Sequence, residues 1–160
     1  MSLPFDVAVR ATGGTLRNPD AAPANVRVST DTRTIEAGDT FVALRGERYD
    51  GHDFVMDALR RGASIVVVDR AVPDLDAAAM LVVEDTLRAY MALAAAARER
   101  FNGRVVGITG SAGKTTTKSF LYQLLEAEFG DRVVTAPANE NNEIGVSRLL
   151  LRASDAAHDV

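Results

Sequence analysis

A glycine-rich segment in the second half of the chain limits the possible folds more than any other feature. Residues 110–115 read GSAGKT, and they lie between a β-branched run at 104–109 and a helical pattern that starts near Thr115. A loop that passes from a buried strand into a helix N-terminus points its N–H groups inward and favours anions. The sequence therefore predicts an α/β fold with a phosphate-binding loop at this position.

The residue types in this loop suit the phosphates of a nucleoside triphosphate. Two glycines let the backbone turn tightly, and Lys114 supplies a full positive charge for the β and γ phosphates. Thr115 follows the lysine directly, where a hydroxyl is the usual ligand of the Mg²⁺ that arrives with the nucleotide. The predicted nucleotide contacts are Gly110, Ser111, Ala112, Gly113, Lys114, Thr115 and Thr116.

The loop departs at one position from the general pattern G-x-x-x-x-G-K-[ST]. Ile108 stands where that pattern has its first glycine, and Gly107 comes one residue too early. The alternative interpretation is a glycine-rich turn that only joins a strand to a helix. The spacing Gly-x-x-Gly-Lys-Thr, placed between a strand and a helix, favours the nucleotide.

Short β-branched runs alternate with helical patterns along the chain, which is typical of the α/β class. Strands are predicted at 26–30, 40–44, 65–69, 80–83, 104–109 and 132–135, and helices at 53–61, 85–101, 115–129 and 144–151. Asn102 and Gly103 separate the longest helix from the strand before the loop, so a domain boundary is expected there. We predict a small α/β domain at residues 1–102 and the beginning of a P-loop α/β domain at 103–160.

Composition excludes several classes of protein. Of the residues, 47% are hydrophobic and 25% charged, with a formal net charge of -4, which fits a globular protein and argues against a broad nucleic-acid-binding surface. The absence of cysteine excludes disulfides, thiolate metal sites and a cysteine nucleophile, and it fits a reducing compartment. No apolar run approaches the roughly 18 residues of a membrane span. We expect a cytoplasmic protein that neither inserts into membranes nor binds nucleic acid.

Several motifs resemble the Mur ligase family, whose members build the peptide of bacterial peptidoglycan. TGSAGKT at 109–115 is similar to the family's variant of the phosphate loop. STDTR at 29–33, GDTFVALRG at 38–46 and YDGHDF at 49–54 resemble its UDP-sugar-binding N-terminal domain. The resemblance covers residues 26–151. It implies that residues 1–102 bind a UDP-MurNAc-peptide and that residues 103–160 begin the central ATPase domain.

A further motif resembles one branch of the family. NENNEIGV at 139–146 is similar to a segment typical of the member that adds D-alanyl-D-alanine to UDP-MurNAc-tripeptide. The member that adds the third peptide residue fits less well. Ser147 and Arg148 depart from the pattern, because a proline usually follows the valine. The resemblance implies an ATP-dependent ligase with Mg²⁺ that forms an acyl phosphate, which the amine of D-Ala-D-Ala then attacks.

The resemblance also implies roles for residues of the first domain. Ser29, Asp31 and Arg33 are expected to hold the UDP-sugar, although Asp31 and Arg33 could instead close an internal ion pair in a turn. Arg45, Gly46 and Glu47 are expected to belong to the same ligand rim. His52 either contacts the uridine part or is only a residue of a helix N-terminus beside Asp50 and Asp53.

The asparagine-rich segment has two possible roles as well. Asn139 and Asn141 are candidates for substrate contacts, and Asn142 is a candidate catalytic residue together with Lys114, as the resemblance suggests for this segment. Asparagine side chains can hydrogen-bond phosphate or substrate without adding charge. The alternative is that these asparagines form a turn and cap the helix that follows.

The family has a complete central domain and a third domain, so the resemblance implies a fragment of a longer ligase that is inactive alone. We expect a monomer whose partners are small molecules: UDP-MurNAc-tripeptide, D-Ala-D-Ala and ATP. A stand-alone nucleotide-binding or UDP-sugar-binding module without ligase activity is the alternative from another functional class. A P-loop kinase is disfavoured, because the strands of a separate domain precede the loop.

Overall fold

The computed structural model describes residues 3–19, 22–46, 48–70, 72, 75, 79–137 and 142–155. Its strands are β1 (Leu3–Pro4), β2 (Thr15–Arg17), β3 (Asn25–Val26), β4 (Val28–Ser29), β5 (Thr40–Val42), β6 (Ile65–Val68) and β7 (Ala79–Val82). Its α-helices are α1 (Phe5–Thr12), α2 (Val55–Arg60), α3 (Thr86–Arg100), α4 (Lys114–Phe129) and α5 (Glu143–Asp155). These elements confirm the predicted α/β class.

Five strands form one mixed sheet in the order β2-β7-β6-β5-β4. Strands β4 to β7 are parallel neighbours, and β2 is antiparallel to β7. The register places Val28, Thr40, Ile65 and Ala79 side by side. The carboxyl ends of the four parallel strands therefore lie along one edge of the sheet. β1 and β3 form a separate antiparallel pair.

The sheet is covered on both faces. This explains why the sequence of β6 is continuously apolar. Ile65 and Val67 belong to the buried cluster that contains α1 and α3, whereas Val66 and Val68 belong to the cluster on the α2 side. All four side chains are fully buried. A parallel strand with helices on both faces has no solvent-facing side, so it does not alternate between apolar and polar residues.

Helix α5 packs along α3, although it follows the phosphate loop in sequence. Leu151 shares the buried cluster of the α3 residues Tyr90 and Leu93, and the partly buried Ile144 and Leu150 pack against that cluster. The last helix thus contributes to the core of the first part of the chain. A domain boundary near residue 102 stays a prediction.

Two predicted strands, at 104–109 and 132–135, are not formed, because neither pairs with any described strand. Val105 and Val106 are about half exposed, and Phe120 and Leu124 on α4 are 64% and 72% exposed. Both segments line an apolar groove beside α4. An apolar run becomes a strand only when a neighbour supplies its hydrogen bonds, and this requirement could not be read from the run itself.

The other predicted helices and strands occur within a few residues of their expected positions. The sequence patterns missed α1, β1 and β2. No helix in the described part of the chain is long and apolar enough to cross a membrane.

Candidate functional site

Polar residues follow the parallel strands at the carboxyl edge of the sheet. Asp31 and Arg33 come after β4, Arg45 after β5, and Asp69 with Arg70 directly after β6. Ligands of open parallel sheets bind in the crevice outside the carboxyl ends of the strands. Because β4 and β5 are neighbours, the fold brings the STDTR segment and the Arg45–Gly46 segment together at this edge.

The turn after β4 is held by its own side chains. The Asp31 carboxylate accepts the backbone N–H of Arg33 at 3.0 Å, and Arg33 Nη2 lies 2.6 Å from Asp31 Oδ2. Hydrogen bonds from Arg33 hold the pKa of Asp31 at about 2. The Ser29 hydroxyl donates to the Asp31 carbonyl at 3.2 Å. The internal ion pair considered as an alternative is therefore formed, while the Arg33 side chain stays 83% exposed.

Four charged side chains form a ring of alternating sign after β5 and β6, and we call Arg45, Asp50, Asp69 and Arg70 the charged ring. Arg45 Nη2 lies 2.6 Å from Asp69 Oδ1, and Arg70 Nη2 lies 2.9 Å from Asp50 Oδ2. The two remaining neighbour pairs, Arg45 with Asp50 and Arg70 with Asp69, are each 4.0 Å apart. Each carboxylate thus faces both guanidinium groups.

His52 lies beneath the charged ring with its side chain only 3% exposed. Its Nδ1 is 2.7 Å from Asp50 Oδ1, and the backbone N–H of Asp69 donates to its Nε2 at 3.2 Å. Nε2 also lies 3.2 Å from Asp69 Oδ1. Both ring nitrogens are used within the protein. This geometry favours the interpretation of His52 as an anchor for the turn over direct contact with uridine.

Hydrogen bonds to Asp50 complete this arrangement. The backbone N–H of His52 is the main cause that holds the pKa of Asp50 well below its usual range, followed by the Arg70 guanidinium and the His52 ring. Asp50 also caps the 3₁₀ turn Gly51–Phe54. Three residues of the site, Asp50, Asp69 and Arg70, were not predicted. The available signal was that Asp69 and Arg70 lie at the end of a predicted strand and Asp50 within the YDGHDF motif.

The turn between Arg45 and Asp50 is tight. The Gly46 N–H donates to the Tyr49 carbonyl at 2.9 Å, and the Gly51 N–H donates to the Leu44 carbonyl at 2.8 Å. A Cβ atom on Gly51 would lie 2.7 Å from backbone atoms of Ala43 and Leu44. Only glycine allows this approach, which fixes the turn against β5. Glu47 lies outside the described residues.

The predicted phosphate loop leads directly into α4. Gly110 and Gly113 have φ angles of 154° and 78°, which favour glycine. Helix α4 begins at Lys114, and the Lys114 ammonium donates to the Gly110 carbonyl. The remaining residues predicted to contact the nucleotide are also exposed; they are Ser111, Ala112, Thr115 and Thr116. The loop therefore presents backbone N–H groups, a lysine and hydroxyls at a helix N-terminus, which suits an anion.

Asn142 caps α5. Its side-chain Oδ1 accepts the Gly145 N–H at 2.9 Å, and its carbonyl accepts the Val146 N–H at 3.0 Å. The capping alternative is thus formed at Asn142, and α5 continues through Ser147 and Arg148 despite the missing proline. Asn139 and Asn141 lie outside the described residues.

Among the described residues, no group of three or more histidine, cysteine, aspartate or glutamate side chains could hold a metal ion. Magnesium bound with a nucleotide keeps several waters and needs few protein ligands. The Thr115 hydroxyl, exposed at the start of α4, fits that requirement.

Comparisons with known proteins match both parts of the chain. Residues 26–100 match the family model described as "Mur ligase family, catalytic domain", and residues 108–160 match "Mur ligase middle domain". A UDP-N-acetylmuramoyl-tripeptide--D-alanyl-D-alanine ligase from Synechocystis is 50% identical over 128 residues, which are 79% of this chain and 28% of that relative. The chain thus spans less than a third of that relative's length.

Two solved structures show the same fold. A crystal structure of MurF from Acinetobacter baumannii has a TM-score of 0.77 and 35% identity, over 94% of this chain and 33% of that one. MurF ligase from Thermotoga maritima, solved in complex with ADP, has a TM-score of 0.68 and 39% identity, over 78% of this chain and 28% of that one. With two family models that together match most of its length, this chain belongs to the Mur ligase family.

Proposed function

We propose that this chain is part of an ATP-dependent ligase that adds D-Ala-D-Ala to UDP-MurNAc-tripeptide. The observation that carries the proposal is the presence in one chain of two separate polar sites, an exposed phosphate loop and the carboxyl edge of a parallel sheet. The name of the Synechocystis relative supports the choice of this ligase over the member that adds the third residue.

The carboxyl edge is the proposed site of the UDP-sugar. Arg33 is 83% exposed and Arg45 is 55% exposed, so each presents guanidinium donors to a ligand while an aspartate holds it in place. Ser29, Asp31 and Gly46 shape the adjoining turns. His52 acts through Asp50 and Asp69, whose positions it fixes. We assign these roles to residues 1–102 as one domain.

The phosphate loop is the proposed site of ATP. Lys114 and the N–H groups of residues 110–115 would hold the β and γ phosphates, and Thr115 would hold the Mg²⁺ that accompanies them. The ADP in the Thermotoga maritima structure supports a nucleotide in this family's fold. We assign this loop to a second domain that begins at residue 103.

The proposed reaction has two steps. A carboxylate oxygen of the tripeptide attacks the γ phosphorus and ADP leaves, which produces an acyl phosphate. The amine of D-Ala-D-Ala then attacks the acyl carbon, and inorganic phosphate leaves. Two anions meet in the first step, so the Lys114 charge lowers its barrier by offsetting their repulsion.

Asn142 is proposed to assist at the start of α5. An asparagine that caps a helix through its oxygen still has an NH₂ donor, which can reach a phosphate or substrate oxygen. Asn139 and Asn141 precede it and remain proposed substrate contacts. We also propose that it acts in the cytoplasm on small molecules, as a monomer. The lack of cysteine fits a reducing compartment, and the acidic net charge argues against nucleic-acid partners.

Calorimetric titration of this chain tests the proposal. UDP-MurNAc-tripeptide, UDP-MurNAc-dipeptide, UDP and Mg-ATP would be titrated separately. We expect the tripeptide to bind more tightly than UDP or the dipeptide. Binding of Mg-ATP without any UDP-sugar would support a nucleotide-binding module instead, and preference for the dipeptide would support the ligase that adds the third residue.

A further inference from the structure

The chain contains two lysines, and both lie on α4. Lys114 begins the helix beside the phosphate loop, and Lys118 follows one helical turn later, about 6 Å further along the axis. Lys114 is exposed, whereas Lys118 is half-buried and lines the apolar groove with Val134 and Leu150. The first lysine is therefore available to a nucleotide, and the second contacts the protein.

The Lys118 ammonium donates a hydrogen bond to the Ala136 carbonyl at 2.6 Å. Residues 134–137 belong to no helix or strand. Within the described part of the chain, this bond is the one hydrogen bond that holds residues 134–137. It is charge-assisted and partly shielded from solvent, so it is stronger than a hydrogen bond between neutral groups. Lys118 therefore fixes this segment to α4.

A lysine is an unusual residue for the wall of an apolar groove. Partial burial of an ammonium group is unfavourable, and a leucine or methionine would fill the same space without that penalty. The apolar stem of Lys118 alone thus gives no reason for a lysine at this position. The terminal donor does, and its partner is the Ala136 carbonyl.

The segment held by Lys118 leads to Asn142. Asn142 lies six residues after Ala136 and caps α5, where its Oδ1 accepts the Gly145 N–H at 2.9 Å. Helix α5 is in turn held by its packing on α3. The chain between α4 and α5 is thus fixed at two points, by Lys118 near the phosphate loop and by the cap at Asn142.

We propose that Lys118 is a positioning residue for the nucleotide site. Its hydrogen bond to Ala136 holds the chain so that the NH₂ group of Asn142 reaches a phosphate oxygen of the nucleotide at the loop. Lys118 itself does not touch the nucleotide. This inference rests on the proposed function, and it adds a residue that acts through Asn142.

A double-mutant cycle on this chain tests the proposal. Mg-ATP would be titrated by calorimetry into the wild type, K118M, N142S and K118M/N142S. Methionine keeps an apolar stem without the donor, and serine keeps a capping oxygen without the NH₂ group. Circular dichroism would verify that each variant is folded.

We expect N142S to weaken Mg-ATP binding by roughly three- to tenfold, which is the size of one lost hydrogen bond. K118M should weaken it by the same factor. The double variant should bind no more weakly than K118M alone, because residues that act as a unit have non-additive effects. K118R keeps a charged donor and should restore the affinity that K118M loses.

S119A is the matched control. Ser119 follows Lys118 on α4 and also donates to a backbone carbonyl, but that carbonyl belongs to Thr115 of the same helix, at 3.0 Å. S119A should change Mg-ATP affinity by less than about twofold. In S119A/N142S the two effects should multiply, as they do for independent sites.

A second measurement needs no substitution at Lys118. Selective ¹⁵N-lysine labelling gives two side-chain ammonium signals in nuclear magnetic resonance spectra, because the chain has two lysines, and K114A assigns them. The Lys118 ammonium hydrogens should exchange with solvent more slowly when Mg-ATP is bound, since the bound phosphate holds Asn142 and the segment before it. N142S should remove this difference.

Three results would overturn the inference. The first is unchanged Mg-ATP affinity of K118M or of N142S, and the second is a loss in K118M/N142S equal to the product of the two single losses. The third is an exchange rate at the Lys118 ammonium that does not respond to Mg-ATP. In each case the wild-type chain still binds Mg-ATP, so the proposed function stands. If the wild-type chain does not bind Mg-ATP, the proposed nucleotide site fails as well.

Discussion

Asp50 accepts two hydrogen bonds from His52, one from the backbone N–H at 2.9 Å and one from ring Nδ1 at 2.7 Å. The same carboxylate also faces Arg70 at 2.9 Å. Asp50 therefore links the start of the 3₁₀ turn Gly51–Phe54 to the buried His52 ring and to Arg70, which follows β6. The Asp50 carboxylate therefore helps to hold these three groups in place.

The first prediction concerns acid stability. The pKa of Asp50 is lowered in the folded chain, so the unfolded chain binds its proton first as the pH falls. The stability that this carboxylate contributes is present above its unfolded pKa, about 3.9, and is lost as the pH falls toward the folded pKa. Asp50→Asn keeps a capping side chain but removes the charge.

Melting temperatures of the wild type and Asp50→Asn across the acid range measure this contribution. The difference between them should be largest near neutral pH and should shrink below about pH 4. Arg33→Met, which removes the partner of Asp31, serves as a comparison. Its melting temperature should differ less from that of the wild type near neutral pH, because the Arg33 side chain is exposed. A difference that stays constant at every pH would show that the Asp50 charge is not involved.

The second prediction separates the two ligand sites. Lys114→Ala should abolish detectable ATP binding, because the loop then loses its only full positive charge. The same variant should bind UDP-MurNAc-tripeptide within about twofold of the wild type, since the carboxyl edge is a separate site. Calorimetry with both ligands is the measurement, and equal loss of both would contradict the two-site proposal.

The third prediction uses the glycine that fixes the turn. Gly51→Ala places a Cβ 2.7 Å from backbone atoms of Ala43 and Leu44, which cannot move as a flexible side chain could. We expect the free energy of unfolding to fall by about 1–3 kcal/mol and UDP affinity to fall with it. Gly107→Ala is the control, because nothing lies within 4 Å of its added Cβ. Denaturant unfolding of both variants gives the comparison, and equal stability would argue against a rigid turn.

The fourth prediction tests the packing of α5. Leu151 is 7% exposed in the cluster shared with α3, so Leu151→Ala should lower the free energy of unfolding by about 2–5 kcal/mol. Leu124 on α4 is 72% exposed, so Leu124→Ala should change the free energy of unfolding by less than about 0.5 kcal/mol. Urea unfolding followed by circular dichroism measures both. Similar values for the two leucines would mean that α5 does not share the first core.

Local patterns predicted the parts of the fold that depend on local physics. The short β-branched runs predicted the parallel strands, and the helix predicted at 85–101 occurs as α3, where the Asp85 side chain accepts the Arg88 N–H at 2.7 Å. The glycine spacing placed the loop at the start of α4. Each of these signals lies within a few residues of the element it predicts.

Contacts between distant residues could not be predicted in the same way. The charged ring joins Arg45 and Asp50 to Asp69 and Arg70, about twenty residues further on, and only the parallel pairing of β5 with β6 brings them together. The runs at 104–109 and 132–135 have strand composition, yet pairing decides whether strands form. The role of His52 also depended on burial, which a single histidine in a sequence does not reveal.

The packing of α5 on α3 has a kinetic consequence for exchange with solvent. Amide hydrogens become exchangeable when their cooperative unit opens, and units follow packing more than chain order. The backbone amides of α5 should therefore exchange at rates similar to those of α3 and more slowly than those of α4, which has no buried residue. The helix capped by Asn142 would then open together with the sheet that carries the charged ring, so a ligand at the carboxyl edge would slow exchange at the far end of the chain.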